Sequence, residues 1–124
     1  MRYDLSGTWH SRYEYGEDQV GEHDVELHQE GNNVNGHSLP HSTGSELELK
    51  LRLDRDKSVL SGFWKEKTSP TGAYRGQVFH GVLQLTIDAE ATRANGKWAG
   101  HNRDYSDINT GNWTLERAYE NTKI

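Results

Sequence analysis

Tyr13, Tyr15, His23, Glu66 and Arg75 are the side chains of this chain best suited to handle a bound molecule. Two phenols and an imidazole exchange hydrogen bonds with a polar ligand, while a carboxylate and a guanidinium receive charge. A glutamate in a half-apolar lumen has its pKa raised by desolvation, which suits it to proton transfer near neutrality. Trp64 and Trp98 add aromatic surface on which a flat ligand stacks. Each has a plainer role as well. Glu66 serves equally as a rim residue paired with Arg75, the two tyrosines as packed rings whose hydroxyls reach water, and the tryptophans as core filling.

These groups converge only if strands carry them. Alternation dominates the chain, and Glu46-Leu47-Glu48-Leu49-Lys50-Leu51-Arg52-Leu53-Asp54 turns four leucines one way and charges the other. Asp24-Val25-Glu26-Leu27-His28 and Leu83-Gln84-Leu85-Thr86-Ile87 repeat the pattern, with turn signals at Glu30-Gly31-Asn32-Asn33, Asp54-Arg55-Asp56, Ser69-Pro70-Thr71-Gly72 and Ala94-Asn95-Gly96. The pattern predicts strands near 5–15, 22–30, 33–39, 46–54, 58–68, 73–88, 93–101 and 111–118. The sixth either bends or splits at His80-Gly81. Short connections make this an antiparallel up-and-down meander, and about eight strands hide their edges best by closing into a barrel; a sandwich is the competing all-β architecture. Residues 1–118 form one domain, and 119–124 are an appended tail.

Strand parity then sorts the faces. If Trp9 points inward, Ser11, Tyr13 and Tyr15 do too; Val25 and Leu27 bring His23 and Gln29 with them. Leu60, Gly62 and Trp64 carry Glu66 and Thr68, while Leu83, Leu85 and Ile87 carry Phe79, Gln77 and Arg75, provided no bulge falls at Gly81. One end collects tryptophan and leucine, and the other becomes a polar cup of Tyr13, Tyr15, His23, Glu66 and Arg75. Such a cup holds a compact ligand and disfavours a long acyl chain.

All four tryptophans sit in Gly-x-Trp units: Gly7-Thr8-Trp9, Gly62-Phe63-Trp64, Gly96-Lys97-Trp98 and Gly111-Asn112-Trp113. Each sets a bare glycine beside a large ring on one face, so that the strand bends and the ring fills the space released. Leu5-Ser6-Gly7-Thr8-Trp9 resembles the first-strand signature of lipocalins and the wider calycin group. That resemblance implies that Trp9 plugs the barrel base and that a basic residue of the last strand, here Arg117, packs across it, with Trp113 on the same face. An even strand number puts Arg117 beside Trp9, which favours eight strands over nine, and the cation–π contact is worth about 1 kcal/mol. Arg103-Asp104-Tyr105 is the nearest match to the lipocalin Thr-Asp-Tyr loop and falls one connection late. Thr68-Ser69-Pro70-Thr71-Gly72 and Asn109-Thr110-Gly111-Asn112-Trp113 resemble small barrel modules of bacterial helix-turn-helix regulators. Two tyrosines, a carboxylate and an arginine in one cup also resemble the equipment of lipocalin-like phenolic acid decarboxylases.

Composition narrows the partners. With 124 residues, 31% hydrophobic, and a net charge of −5 without a basic stripe, the chain is not expected to bind nucleic acid. No apolar run approaches membrane length and no apolar signal core opens the chain, so a cytoplasmic protein without membrane association is expected. Cysteine is absent, which removes disulfides and thiolates. Of seven histidines, His10, His28, His37 and His101 fall on outer faces and His41 in a loop, so no metal site or cofactor is expected. His23 and His80 are the positions from which axial haem ligation stays open. The loop 104–109 has oxygens but not the spacing of a calcium loop.

Three functions follow. The first is a ligand-binding barrel, a sensor or carrier of a compact, partly polar or aromatic molecule, with Tyr13, Tyr15, His23, Trp64, Glu66, Arg75 and Trp98 as its site. Mouth loops 39–45, 69–73 and 102–110 would pass ligand state to a regulatory protein partner. The second is a barrel enzyme of decarboxylase, isomerase or dehydratase type using Glu66, Tyr13, Tyr15, Arg75 and His23. The third is a packed accessory barrel without a ligand, against which the strand faces offer no large apolar patch.

Overall fold

The structure, a computed structural model, describes residues 4–16, 19–40, 44–54, 56, 58–72 and 75–118. The alternating segments form eight strands: β1 (Gly7–Gly16), β2 (Gln19–Glu30), β3 (Asn33–Ser38), β4 (Glu46–Leu53), β5 (Val59–Lys67), β6 (Val78–Ile87), β7 (Arg93–His101) and β8 (Ile108–Arg117). Each pairs antiparallel with the next, and β8 pairs with β1, closing an up-and-down barrel. Neither the β1 nor the β8 edge is left open. The sandwich is thereby excluded, and the tail 119–124 lies outside the described residues. No helix among the described residues is long and apolar enough to cross a membrane.

Burial follows the period of two. In β4, Leu47, Leu49, Leu51 and Leu53 are buried while the residues between them are exposed. Closure sends the inward residues of every strand into one core, including Val25, Leu27, Leu60, Leu83, Leu85 and Leu115. Outward positions pair charges, as where His10 meets Glu22 at 3.2 Å and Asp24 at 3.0 Å. The outer face is not uniformly polar, however. Phe63 on β5 pairs with Val82 on β6, at 64% and 49% exposure, an apolar spot at odds with the charged exterior expected from the sequence.

Odd-to-even connections lie at one end and even-to-odd at the other. The second end is closed by short turns. Asp54 accepts the backbone N–H groups of Ser58 (2.9 Å) and Val59 (3.2 Å), and Asp88 repeats the device with Thr92 (2.7 Å) and Arg93 (3.1 Å). Here Trp9 pairs in register with Arg117, whose guanidinium stands 4.8 Å from the indole centroid. Arg117 also donates to the Asp4 and Ala91 carbonyls, and Trp9 Nε1 donates to the Leu5 carbonyl at 2.8 Å. The guanidinium thus ties the N-terminal segment and the β6–β7 turn over a fully buried ring.

Three strand assignments are corrected. β6 starts at Val78, not 73, because Arg75 and Gly76 adopt left-handed conformations (φ 50° and 78°) in a turn bridged by Thr68 and Gln77. His80 and Gly81 lie inside β6, whose pairing with β5 runs unbroken, so the strand neither splits nor bulges. β8 starts at Ile108, three residues earlier than predicted, and β2 starts at Gln19.

Candidate functional site

The other end of the barrel opens into a cup with a cavity volume of about 1150 Å³. Its walls come from β1, β2, β5, β6, β7 and β8, and its rim from the connections after β3, β5 and β7. Of the mouth loops, residues 41–43 and 73–74 lie outside the described residues.

An aromatic floor separates the cup from the leucine-rich half. Trp113 packs on Tyr13 (4.7 Å between centroids) and on Trp64 (6.0 Å), and Trp64 meets Trp98 at 5.5 Å with their planes 87° apart. All the indole N–H groups are spent within the protein. Trp64 donates to the Val82 carbonyl, Trp98 to the Glu14 carbonyl and Trp113 to the Ser11 hydroxyl. What these rings present to a ligand is therefore carbon and π surface.

Glycines make this floor possible, though not in the way the Gly-x-Trp units suggest. The ring of Trp98 crosses Gly111 on the next strand to reach Glu14 on the one beyond, and Trp64 crosses to Gly100. Tyr13 lies over its cross-strand partner Gly21, where any side chain would collide with the phenol. A Cβ at Gly62 or Gly96 would instead strike the neighbouring backbone, at the Lys50 or Gln84 carbonyl. The bare positions thus serve the preceding strand's aromatics and close strand approach, rather than the tryptophan of their own unit.

Polar groups stand above the floor. Tyr13 is buried, and its hydroxyl hydrogen-bonds the half-buried Glu66 carboxylate. Burial pushes the Tyr13 phenol up, and the neighbouring carboxylate charge pushes it the same way. Burial also raises the Glu66 carboxyl above its ordinary range, with the Tyr13 hydrogen bond acting in the opposite direction. His23, 3% exposed, hydrogen-bonds Ser45 Oγ at 2.9 Å and lies nearly parallel to Tyr13, 6.3 Å away. A loop residue outside any motif, Ser45 carries no periodic signal that sequence reasoning could use.

Five of the seven candidate ligand residues converge below the rim: Tyr13, His23, Trp64, Glu66 and Trp98 all line the cup. Tyr15 lines it only at the rim, 46% exposed, because the β1–β2 register shifts between Glu14 and Gly16 and re-aims its side chain. Arg75 does not join them. It sits exposed in the β5–β6 turn, since the parity that would have turned it inward ends where β6 begins at Val78. The Glu66–Arg75 pairing is accordingly replaced by Glu66–Tyr13. Trp113, expected to serve structure with Trp9 and Arg117, packs in the cup floor.

His101 was expected to face outward, yet it lines the mouth, stacked on Tyr105 at 4.3 Å and on Phe79 at 5.4 Å. At the end of β7 its ring is free of strand parity, and its Nε2 accepts the His80 backbone N–H at 3.3 Å. The following loop spends its oxygens on itself. Asn102 accepts the Ser106 N–H, and Asp104 accepts the Ser106 hydroxyl at 2.7 Å, so these oxygens tie the lip to itself. Among the described residues no group of three or more His, Asp or Glu side chains is placed to hold a metal ion.

Fold and site together define a closed eight-stranded antiparallel barrel with one plugged end and one open aromatic cup. Comparison with known protein families, curated proteins and solved structures finds no match to the chain.

Proposed function

We propose that this protein is a small-molecule-binding barrel, a sensor or carrier for a compact ligand with an aromatic part and a polar group. The observation that carries this reading is the open cup itself, floored by Trp64, Trp98 and Trp113, with the Tyr13–Glu66 pair among the polar groups above that floor. A barrel built only to pack would fill this volume with side chains. The plug of Trp9 and Arg117 at the other end supports kinship with lipocalin-like, calycin barrels, which hold ligands in the same half of the fold. The lips at 69–72 and 102–107, linked by Gln77 Nε2 donating to the Arg103 carbonyl at 2.9 Å, offer a surface on which a partner protein reads the ligand state.

The enzyme reading has one observation in its favour, a buried carboxyl with a raised pKa hydrogen-bonded to a phenol. Arg75, which would have oriented a substrate carboxylate, is absent from the cup, and this weakens the decarboxylase form in particular.

Native mass spectrometry of gently purified protein, compared with its denatured mass, tests the proposal. An added mass of a few hundred daltons that is lost on denaturation is the expected result and identifies the occupant. A bare polypeptide mass, together with no binding in a fragment screen, would return the barrel to the accessory reading.

A further inference from the structure

Glu66 is a carboxylate on an aromatic wall. Two residues before it on the same face of β5 stands Trp64, with Trp98 set at 87° to it and 5.5 Å away like two sides of a corner. Tyr13 completes the enclosure and gives Glu66 its hydrogen bond. A carboxylate has room for about four hydrogen bonds, so one phenol leaves most of its accepting capacity unused. The other charged groups at the mouth are engaged higher up. Glu22 contacts His10 (3.2 Å) and Arg12 (3.8 Å) on the outer face, and Asp104 is occupied by Ser106. Arg103 belongs to the lip, while His23 is bonded to Ser45 and His101 is stacked in the rim. Burial and the Tyr13 hydrogen bond are what act on Glu66, and Arg75 is out in the turn.

A negative ligand would have to bury its charge beside this carboxylate, with Arg103 up at the lip and the His23 ring already bonded to Ser45, which is costly in a half-dry cup. A positive one meets both a carboxylate and aromatic π surfaces, the two groups that stabilise an organic cation away from water. We infer that the ligand of this cup is an organic cation, an arylalkylammonium or a quaternary ammonium, seated between Glu66 and the rings of Tyr13, Trp64 and Trp98. This rests on the reading of the barrel as a ligand holder and names the charge and class of what it holds. Burial raises the Glu66 carboxyl in the empty cup, and the positive charge of the ligand offsets that effect on binding.

Three matched probes test it: 2-(1-naphthyl)ethylamine, 1-naphthaleneethanol and 1-naphthylacetate, titrated at neutral pH into the ¹⁵N-labelled full chain. The chain has four tryptophans, and each gives one indole N–H signal. The amine is expected to shift the signals of Trp64, Trp98 and Trp113 while that of Trp9, in the plug, stays in place. It should bind at least about tenfold more tightly than the alcohol, with the acid weaker still. Glu66→Gln, which keeps an acceptor for the Tyr13 hydroxyl, should bring amine and alcohol within about twofold of each other. An unmoved Trp9 signal and an unchanged backbone spectrum verify that the variant is folded. Equal binding of alcohol or acid at the same three indoles would overturn the cation assignment and leave the ligand-holding barrel intact. An amine preference that survives Glu66→Gln would overturn the role of Glu66. Silence from all three probes would overturn the cation assignment as well, and the binding reading would then stand or fall on the native mass alone.

Discussion

Trp98 donates its indole N–H to the Glu14 carbonyl at 2.9 Å, and it reaches that oxygen by crossing Gly111 on the strand between them. The bond ties β7 to β1 across β8 and sets the ring as a wall of the cup.

A methyl group at position 111 has nowhere to go. It would overlap the Glu14 carbonyl oxygen and lie 2.7 Å from Trp98 Nε1, so β8 and β1 must part or the indole must swing away. Gly111→Ala is expected to cost about 1–3 kcal/mol, the usual penalty for overpacking. Urea denaturation measures the loss, and the Trp98 indole signal should shift as its hydrogen bond lengthens. Unchanged stability with an unshifted signal would show that the glycine is not needed there.

The closed end makes a separate claim. Trp9 is 1% exposed beneath Arg117, and its N–H is bonded to the Leu5 carbonyl. Trp9→Ala should destabilise the barrel by roughly 3–5 kcal/mol. Arg117→Met keeps much of the apolar stem but loses the cation–π contact and the donations to Asp4 and Ala91, and should cost less than Trp9→Ala. Thermal melts of both variants check the order, and the plug argument fails if Trp9→Ala melts with the parent.

Glu66 gives stability a pH dependence of a definite sign. Burial holds its folded pKa above the ordinary 4.5, so the folded chain binds more protons than the unfolded chain between the two values. Its contribution to stability is therefore largest below the unfolded value, declines as pH rises through the window, and is level above the folded value. Glu66→Gln removes this dependence. The variant's melting temperature should gain on the parent's as pH rises from the ordinary glutamate range, because other carboxylates cancel in the comparison. A difference that stays flat over that rise would contradict the burial of this carboxyl.

Particular residues show how far the sequence could be read. The four leucines of 47–53 needed only the period of two, and the Trp9–Arg117 pairing followed from strand parity with an even strand count. Tyr13, His23, Trp64, Glu66 and Trp98 reached the cup by the same counting. Counting failed where a strand stopped or slipped. Arg75 lies beyond the start of β6, Tyr15 at a register shift, and His101 at a strand end whose ring folds over the mouth.

The sequence by itself determined the all-β alternation, the antiparallel meander and the division into a leucine half and a polar half, because side-chain direction in a strand is a local property with a fixed period. Only the tertiary structure decided that Trp98 lies over Gly111, that Trp113 floors the cup, and that Glu66 faces Tyr13 without an arginine. Those relations depend on how far one strand is staggered against another as the sheet coils shut. That stagger belongs to the closed barrel and is written in no single segment.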